Sequence, residues 1–215
     1  MTQTLAVTEI YASIQGESSH AGRPCTFVRL AGCPLRCRWC DTEYSFARGE
    51  KRTIAEIVAA VQALGIQLCE VTGGEPLAQA ACAALLQALC DAGLEVLLET
   101  SGAFAVDQLD PRVHVIADLK CPGSGEAARN LWPALAQLRP CDELKIVVAD
   151  RADFDWAQAM LRDKLPDLRA QVLWSAVASE LPPAQLAAWL LQERAPGRLQ
   201  LQLHKILWPD VERGV

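Results

Sequence analysis

The chain has 215 residues, of which 51% are hydrophobic, and a formal net charge of −6 at pH 7. This length suits one domain with a sizeable core, and the acidic balance argues against nucleic-acid binding, which requires a basic face. No apolar run reaches the roughly 18 residues that suggest a membrane helix. The nine cysteines, with no recognisable signal peptide before them, predict a reducing, cytoplasmic environment.

Short apolar runs alternate with helical patterns along the chain. A capping box at residues 53–56 begins one helix, and further helices are predicted at 81–89, near 154–165 and at 182–192. Strands separated by helices indicate βαβ units and a parallel sheet. We therefore predict an α/β fold, a partial, open barrel of about six βα units in one domain spanning the whole chain. The predicted strands are residues 7–10, 26–30, 68–72, 95–99, 113–118, 144–148, 172–175 and 199–203.

The most specific motif follows the second predicted strand. Cys33, Cys37 and Cys40 form Cys-x3-Cys-x2-Cys within a loop at residues 31–42, with Trp39 before the last cysteine. A cubane iron–sulfur cluster takes four ligands, so three cysteines leave one iron free to bind a small molecule. Structural zinc sites generally have four protein ligands and a second Cys-x2-Cys pair, which this sequence lacks. The motif therefore favours a 4Fe-4S cluster with one open iron.

Three further polar motifs directly follow predicted strands. In α/β barrels the loops after the strands share one rim, and that rim carries the active site. Each motif also has a purely structural interpretation: a strand-to-helix turn for the glycine pair, a helix cap for Thr100-Ser101, and an ion pair for Lys120. The motifs are Gly73-Gly74-Glu75, Glu99-Thr100-Ser101 and Asp118-Leu119-Lys120.

The cysteine spacing resembles the signature of the radical S-adenosylmethionine enzymes. Other segments resemble one family of that superfamily, the 7-carboxy-7-deazaguanine synthases, and this resemblance covers nearly the whole chain. It implies S-adenosylmethionine as a cofactor, the cluster on the three cysteines, and Mg²⁺ on the hydroxyl of Thr42. The segments that carry the resemblance are residues 14–17, 27–29, 37–42, 71–76, 99–102 and 203–205.

The resemblance also implies a reaction. Such enzymes cleave S-adenosylmethionine reductively to a 5′-deoxyadenosyl radical, which takes a hydrogen atom from C6 of 6-carboxy-5,6,7,8-tetrahydropterin. A magnesium-assisted rearrangement contracts the ring, ammonia leaves, and 7-carboxy-7-deazaguanine, a precursor of queuosine and related nucleosides, is formed. The cofactor is re-formed at the end. An electron donor such as flavodoxin, a homodimer and a cytoplasmic location are further expectations.

Site roles follow from the same resemblance, and no side chain is expected to be catalytic, because the cofactor radical carries the chemistry. The C-terminal tail, residues 204–215, is expected to close the site. The expected cofactor-binding residues are Trp39, Asp41, Gly73, Gly74, Glu75, Glu99, Ser101, Asp118, Leu119 and Lys120. The expected substrate-binding residues are Ile14, Gln15, Gly16, Glu17, Arg29, Thr72 and His204.

Two other functions fit parts of the sequence. An activase that generates a glycyl radical on a partner protein shares the short chain and the cysteine spacing, but the segments Ile14–Glu17 and Cys40–Thr42 and the lack of a ferredoxin-like cysteine set argue against it. A non-catalytic iron–sulfur or zinc module would have a fully ligated metal and would not cleave the cofactor.

Overall fold

A computed structural model describes residues 3–46, 49–211 and 213–215. The strands are β1 (Thr4–Ile14), β2 (Pro24–Leu30), β3 (Glu50–Thr53), β4 (Leu68–Gly73), β5 (Glu95–Thr100), β6 (His114–Lys120), β7 (Glu143–Val148), β8 (Gln171–Ala176) and β9 (Arg198–Leu199). The helices are α1 (Ile54–Ala63), α2 (Cys82–Asp91), α3 (Trp132–Ala136), α4 (Arg151–Asp163), α5 (Pro183–Glu193) and α6 (Leu203–Leu207).

The strands of the described residues form one nine-stranded sheet in the order β3-β1-β2-β4-β5-β6-β7-β8-β9. Strands β2 and β4–β9 run parallel to one another, whereas β1 pairs antiparallel with both β2 and β3. The sheet is open, since β3 and β9 lie at its two edges. The predicted α/β fold with an open, mostly parallel sheet is therefore confirmed.

The predicted capping box begins α1. The Thr53 hydroxyl accepts a hydrogen bond from the Glu56 N–H at 3.2 Å, and the Glu56 carboxylate accepts one from the Thr53 N–H at 2.7 Å. Two otherwise unpaired N–H groups at the helix start are satisfied in this way. The helix is followed by Gly65, whose φ of +68° is the left-handed conformation that glycine adopts at helix ends.

Three segments differ from the prediction. The first strand extends over Thr4–Ile14, and Glu50–Thr53, where no strand is predicted, pairs with it as β3. The predicted strand at residues 199–203 is wrong: β9 is only Arg198–Leu199, and α6 begins at Leu203. The alternation of leucine and glutamine at residues 199–203 resembles the pattern of a strand. In the structure the two glutamines instead hydrogen-bond the loop after β1.

The two faces of the sheet have different surroundings. Helices α1, α2, α4 and α5 cover the outer face, where the main apolar core includes Val28, Val71, Leu98 and Ile146. None of the described helices is long and apolar enough to cross a membrane. The opposite, inner face carries a small apolar layer of Cys25, Phe27, Leu68, Leu97 and Ile116.

Polar side chains continue the inner face toward the carboxyl ends of the strands. Because side chains alternate between the faces of a strand, Arg29 follows Phe27 on this face, Glu99 follows Leu97, and Asp118 follows Ile116. The parallel register sets Asp118 beside Lys145 on the neighbouring strand. The fold thus gathers charged residues from four strands above one apolar layer.

Candidate active site

The cysteine loop follows β2 at the carboxyl edge of the sheet. Cys33, Cys37 and Cys40 are partly exposed, whereas Cys82 and Cys90 are buried in the core, as the sequence indicates. Burial raises the pKa of the Cys37 thiol, and the nearby Lys120 ammonium opposes that rise. The three thiols of the motif therefore differ from the core cysteines in being accessible to a metal cluster.

Two neighbouring segments hold the cysteine loop in place. The Arg36 N–H donates to the Glu126 carboxylate at 2.6 Å, and the Arg38 N–H donates to the Ser124 carbonyl at 3.0 Å, so both flanks of Cys37 are tied to the segment after β6. On the other side, the Glu75 N–H donates to the Gly32 carbonyl at 2.9 Å. The loop is positioned by the turns after β4 and β6.

This donor set fits a cubane cluster with an open corner. Each cysteine of a cubane binds a different iron, so the sulfurs surround the cluster instead of meeting at one point. Within the described ranges, no three His, Cys, Asp or Glu side chains form a group suited to a single metal ion. The Asp118 Oδ1 and Ser101 Oγ atoms are buried without a hydrogen-bond partner, which leaves hydrogen-bonding capacity for a polar ligand.

The Gly73-Gly74-Glu75 turn packs tightly against the cysteine loop. A Cβ on Gly73 would overlap the backbone of Leu30, and one on Gly74 would overlap the Gly32 carbonyl and lie 2.9 Å from the Cβ of Cys33. Gly73 also has a φ of +140°. The glycines therefore allow a close approach of two segments of this chain, in addition to any approach to a ligand.

A lysine lies at the centre of the inner polar layer. Lys145 is only 6% exposed, and its Nζ donates to Glu17 Oε2 at 2.8 Å and to the Glu99 carboxylate, with Asp118 Oδ1 at 3.6 Å. The Thr72 hydroxyl donates to the other oxygen of Glu99 at 2.9 Å. The predicted site residues do not include Lys145, although a lysine inside a buried apolar strand is a recognisable signal.

The pKa values of two glutamates in this layer, the buried Glu70 and the half-buried Glu99, shift in opposite directions. Burial and the neighbouring Glu99 charge raise the pKa of Glu70, whose carboxylate accepts a hydrogen bond from the Gln15 amide at 2.8 Å. Burial alone would raise the pKa of Glu99, but the Lys145 ammonium and the Thr72 hydroxyl lower it. Glu99 is therefore the ionised member of the pair.

Arg29 lies in an aromatic and acidic setting that the sequence did not reveal. Its Nε donates to Glu9 Oε1 at 2.9 Å and its Nη2 to the Tyr11 hydroxyl at 2.8 Å. The Tyr44 hydroxyl donates to the same Glu9 oxygen at 2.8 Å. These contacts use two of the five guanidinium donors, so the side chain is oriented while donors remain for a ligand.

The loop after β1 meets the C-terminal tail. The Leu203 N–H donates to the Gly16 carbonyl at 3.0 Å, and a Cβ on Gly16 would lie 2.8 Å from Nδ1 of His204. The Gln202 amide donates to Glu17 Oε1 at 2.8 Å. Lys205 Nζ lies 3.2 Å from Oδ2 of Asp41, which directly follows Cys40. The tail thus connects the first predicted substrate motif to the cysteine loop.

Comparison with known proteins settles the family. The chain is 47% identical over 215 residues to 7-carboxy-7-deazaguanine synthase of Chlorobaculum tepidum, across 98% of this chain and 97% of the relative. It is 41% identical over 226 residues to 7-carboxy-7-deazaguanine synthase of Koribacter versatilis, across 98% of this chain and 100% of the relative. The chain belongs to the 7-carboxy-7-deazaguanine synthase family.

The superfamily and fold agree with this family. The family model of the Radical SAM superfamily matches residues 28–119. The crystal structure of QueE from Escherichia coli has a TM-score of 0.77 and 22% identity, and the match covers 93% of this chain and 94% of that one, which shows a shared fold. Membership of the 7-carboxy-7-deazaguanine synthase family makes the chain a radical S-adenosylmethionine lyase with a 4Fe-4S cluster, as the cysteine loop predicts.

Some residues expected to bind ligands in this family have their side chains engaged elsewhere. Leu119 is buried in the outer-face core, so only its backbone is available to a ligand. Glu75 is fully buried and satisfied within the protein. The Arg38 guanidinium lies 5.0 Å from the ring centroid of Trp39, and Lys120 Nζ lies 2.7 Å from Asp118 Oδ2. These roles therefore stay predictions.

Proposed function

We propose that this chain converts 6-carboxy-5,6,7,8-tetrahydropterin to 7-carboxy-7-deazaguanine, a precursor of queuosine and related nucleosides. One observation carries the proposal: Gln15, Glu17, Arg29, Thr72 and His204 come from four separate segments, and contacts within the site link these segments to one another and to the cysteine loop. Their donors and acceptors suit a ligand with a carboxylate and an amide edge, which a carboxylated pterin has.

The cofactor side of the site lies at the carboxyl ends of β4, β5 and β6. When bound and reduced, the cluster and S-adenosylmethionine supply the radical that removes the hydrogen atom at C6. Cys33, Cys37 and Cys40 would hold the cluster. The buried atoms Ser101 Oγ and Asp118 Oδ1, which have no hydrogen-bond partner, would take up polar groups of the cofactor. The residues that complete this proposed pocket are Trp39, Asp41, Gly73, Gly74, Glu99, Leu119 and Lys120.

The substrate side would use charge and hydrogen bonding. Arg29 has guanidinium donors left for the substrate carboxylate, a geometry that arginine matches well. Glu17 and Gln15 would accept from the amino and ring N–H groups of the pterin, while Thr72 and His204 would line the pocket. Ile14 and Gly16 would set the path of this loop. The tail at residues 204–215 would close the site over the substrate.

We also propose a magnesium ion at the junction of the two sides. Thr42 lies directly after the cluster motif, with its hydroxyl 3.8 Å from the Cys40 sulfur. Mg²⁺ is a hard cation that prefers oxygen ligands and keeps several waters, so one hydroxyl and the substrate carboxylate would suffice to hold it. There the ion would promote the ring contraction.

A homodimer, a flavodoxin-type electron donor and a cytoplasmic location complete the proposal. Sedimentation velocity at micromolar concentration tests the dimer, because a purely monomeric profile would contradict it. Turnover with reduced flavodoxin in place of a chemical reductant tests the donor.

An anaerobic assay with the carboxylated tetrahydropterin, S-adenosylmethionine, Mg²⁺ and dithionite tests the function itself. Mass spectrometry is expected to detect 7-carboxy-7-deazaguanine and one equivalent of ammonia. Reductive cleavage of S-adenosylmethionine without the deazapurine would indicate a radical enzyme of another type, such as an activase. No cleavage by protein that holds a full cluster would indicate a non-catalytic module.

A further inference from the structure

We propose that Lys145 is a positioning residue that holds the carboxylates of Glu17 and Glu99 in a fixed orientation between the substrate and cofactor sides of the site. The proposal rests on the proposed function, since that function gives these two carboxylates their ligands. No motif of the sequence gives this lysine a partner or a ligand.

The geometry of the inner face carries this inference. Glu17 belongs to the loop after β1 and Glu99 to the end of β5, and Nζ of Lys145 on β7 donates to both. Glu17 has further contacts with the Gln200 and Gln202 amides, and Glu99 with the Thr72 hydroxyl. Lys145 is therefore the direct link between the loop that would hold the pterin and the strand end that would hold the cofactor.

The charges around Lys145 explain why a cation is needed there. Arg29 pairs with Glu9 and Lys120 with Asp118, which leaves Lys145 as the counter-charge for Glu17 and Glu99. The ionisable groups that face this layer from the surrounding elements are Glu17, Arg29, Asp41, Glu70, Glu99, Asp118 and Lys120.

Loss of the ammonium would change the protonation of the layer. Buried carboxyl groups close to other negative charges take up a proton at higher pH than isolated ones. In Lys145→Met, Glu99 would lie near Glu17 and Glu70 without this counter-charge, so the pKa of Glu99 would rise and more of it would be protonated near neutral pH. A protonated carboxyl presents an O–H donor at one oxygen, where a carboxylate presents only acceptors, so it fits the N–H donors of a ligand less well.

The test compares Lys145→Met and Lys145→Arg, with Lys164→Met at an exposed position as the matched control. In Lys145→Met the acidic limb of kcat/KM against pH is expected to move up by about one pH unit or more, with the KM for the pterin raised about tenfold at neutral pH. Activity should recover in part as the pH rises. Lys145→Arg should keep the wild-type limb, because guanidinium stays charged.

Infrared spectroscopy of the substrate-free proteins separates this proposal from the proposed function. At neutral pH, Lys145→Met should show a stronger band of protonated carboxyl groups than the wild type, the control and Lys145→Arg. An equal band and an unshifted pH limb in folded, cluster-loaded Lys145→Met would overturn the role of Lys145. A shifted limb in folded Lys145→Arg would also overturn it. Lack of the deazapurine product in the wild type would overturn only the proposed function, because the infrared comparison needs no turnover.

Discussion

The carboxylate of Glu75 accepts a hydrogen bond from the backbone N–H of Ser101 at 2.7 Å. The same carboxylate accepts from the Thr100 hydroxyl at 2.9 Å and from the Leu77 N–H at 2.9 Å. Glu75 is predicted to bind the cofactor, but its carboxylate oxygens accept hydrogen bonds that join the turn after β4 to the end of β5. Glu75 therefore fixes the positions of the two loops that follow β4 and β5.

Glu75→Gln should destabilise the protein, because an amide presents donors to the N–H and O–H groups that now meet carboxylate oxygens. Loss of hydrogen bonds to a buried charged group costs about 1–3 kcal/mol. A domain of this size would then melt several degrees lower, at roughly 2–4 °C per kcal/mol. Thermal unfolding followed by circular dichroism measures the effect, with exposed Glu43→Gln as the control. An unchanged melting temperature in Glu75→Gln would show that this network adds nothing to stability.

Gly74→Ala should prevent normal loading of the cluster. Its Cβ would collide with the Gly32 carbonyl and the Cys33 side chain, which shifts the cysteine loop. Gly93→Ala is the control, since its Cβ meets no atom within 4 Å although its φ of +84° disfavours alanine. Iron and sulfide analysis after anaerobic reconstitution should show a low content in Gly74→Ala and a normal one in Gly93→Ala. A full cluster in Gly74→Ala would contradict the tight packing.

Glu70→Gln should flatten part of the dependence of stability on pH. The pKa of Glu70 is raised in the folded state above its ordinary value of 4.5. The folded state therefore holds an extra proton, and this contribution to the free energy of unfolding falls as the pH rises, by up to about 1.4 kcal/mol per pH unit. Urea unfolding from pH 5 upward should show a shallower decline in Glu70→Gln than in the wild type. Parallel curves for the two proteins would exclude a raised pKa.

Thr42→Ala should lose the stimulation of activity by Mg²⁺. Removal of the hydroxyl takes away the oxygen ligand that the chain would provide, while Thr42→Ser keeps it. Product formation measured against Mg²⁺ concentration should show a marked loss in the alanine variant and a near-normal response in the serine variant. Full activity of Thr42→Ala with an unchanged Mg²⁺ response would remove Thr42 from the magnesium site.

The features that the sequence predicts well are local ones. The cysteine motif, the capping box at Thr53 and the polar groups at strand ends each depend on residues close together in the chain, and the parallel direction of most strands follows from the alternation of strands and helices. Part of the outer-face core could be predicted for the same reason, because Val71 and Leu98 belong to short, mainly apolar segments.

The features that the sequence does not predict depend on distant residues. The partners of Lys145 lie 128 and 46 residues away along the chain, so no spacing rule reveals their contact. Glu9 and Tyr44 meet at Arg29 in a similar way, through pairing of β1 with β2 and the turn after the cysteines. The strand predicted at residues 199–203 is wrong because Leu199, Leu201 and Leu203 alternate as in a strand. The contact that places this segment is a hydrogen bond to the distant loop after β1, which the pattern does not reveal.

The central claim is that three cysteines hold a cluster whose fourth iron is open to S-adenosylmethionine. The electron paramagnetic resonance spectrum of the reduced, reconstituted protein tests it most directly, recorded before and after addition of S-adenosylmethionine. Binding of the cofactor to the open iron should change the spectrum of the wild type, with Gly93→Ala responding in the same way. Identical spectra before and after addition, in protein with a full cluster and a saturating cofactor concentration, would contradict the claim.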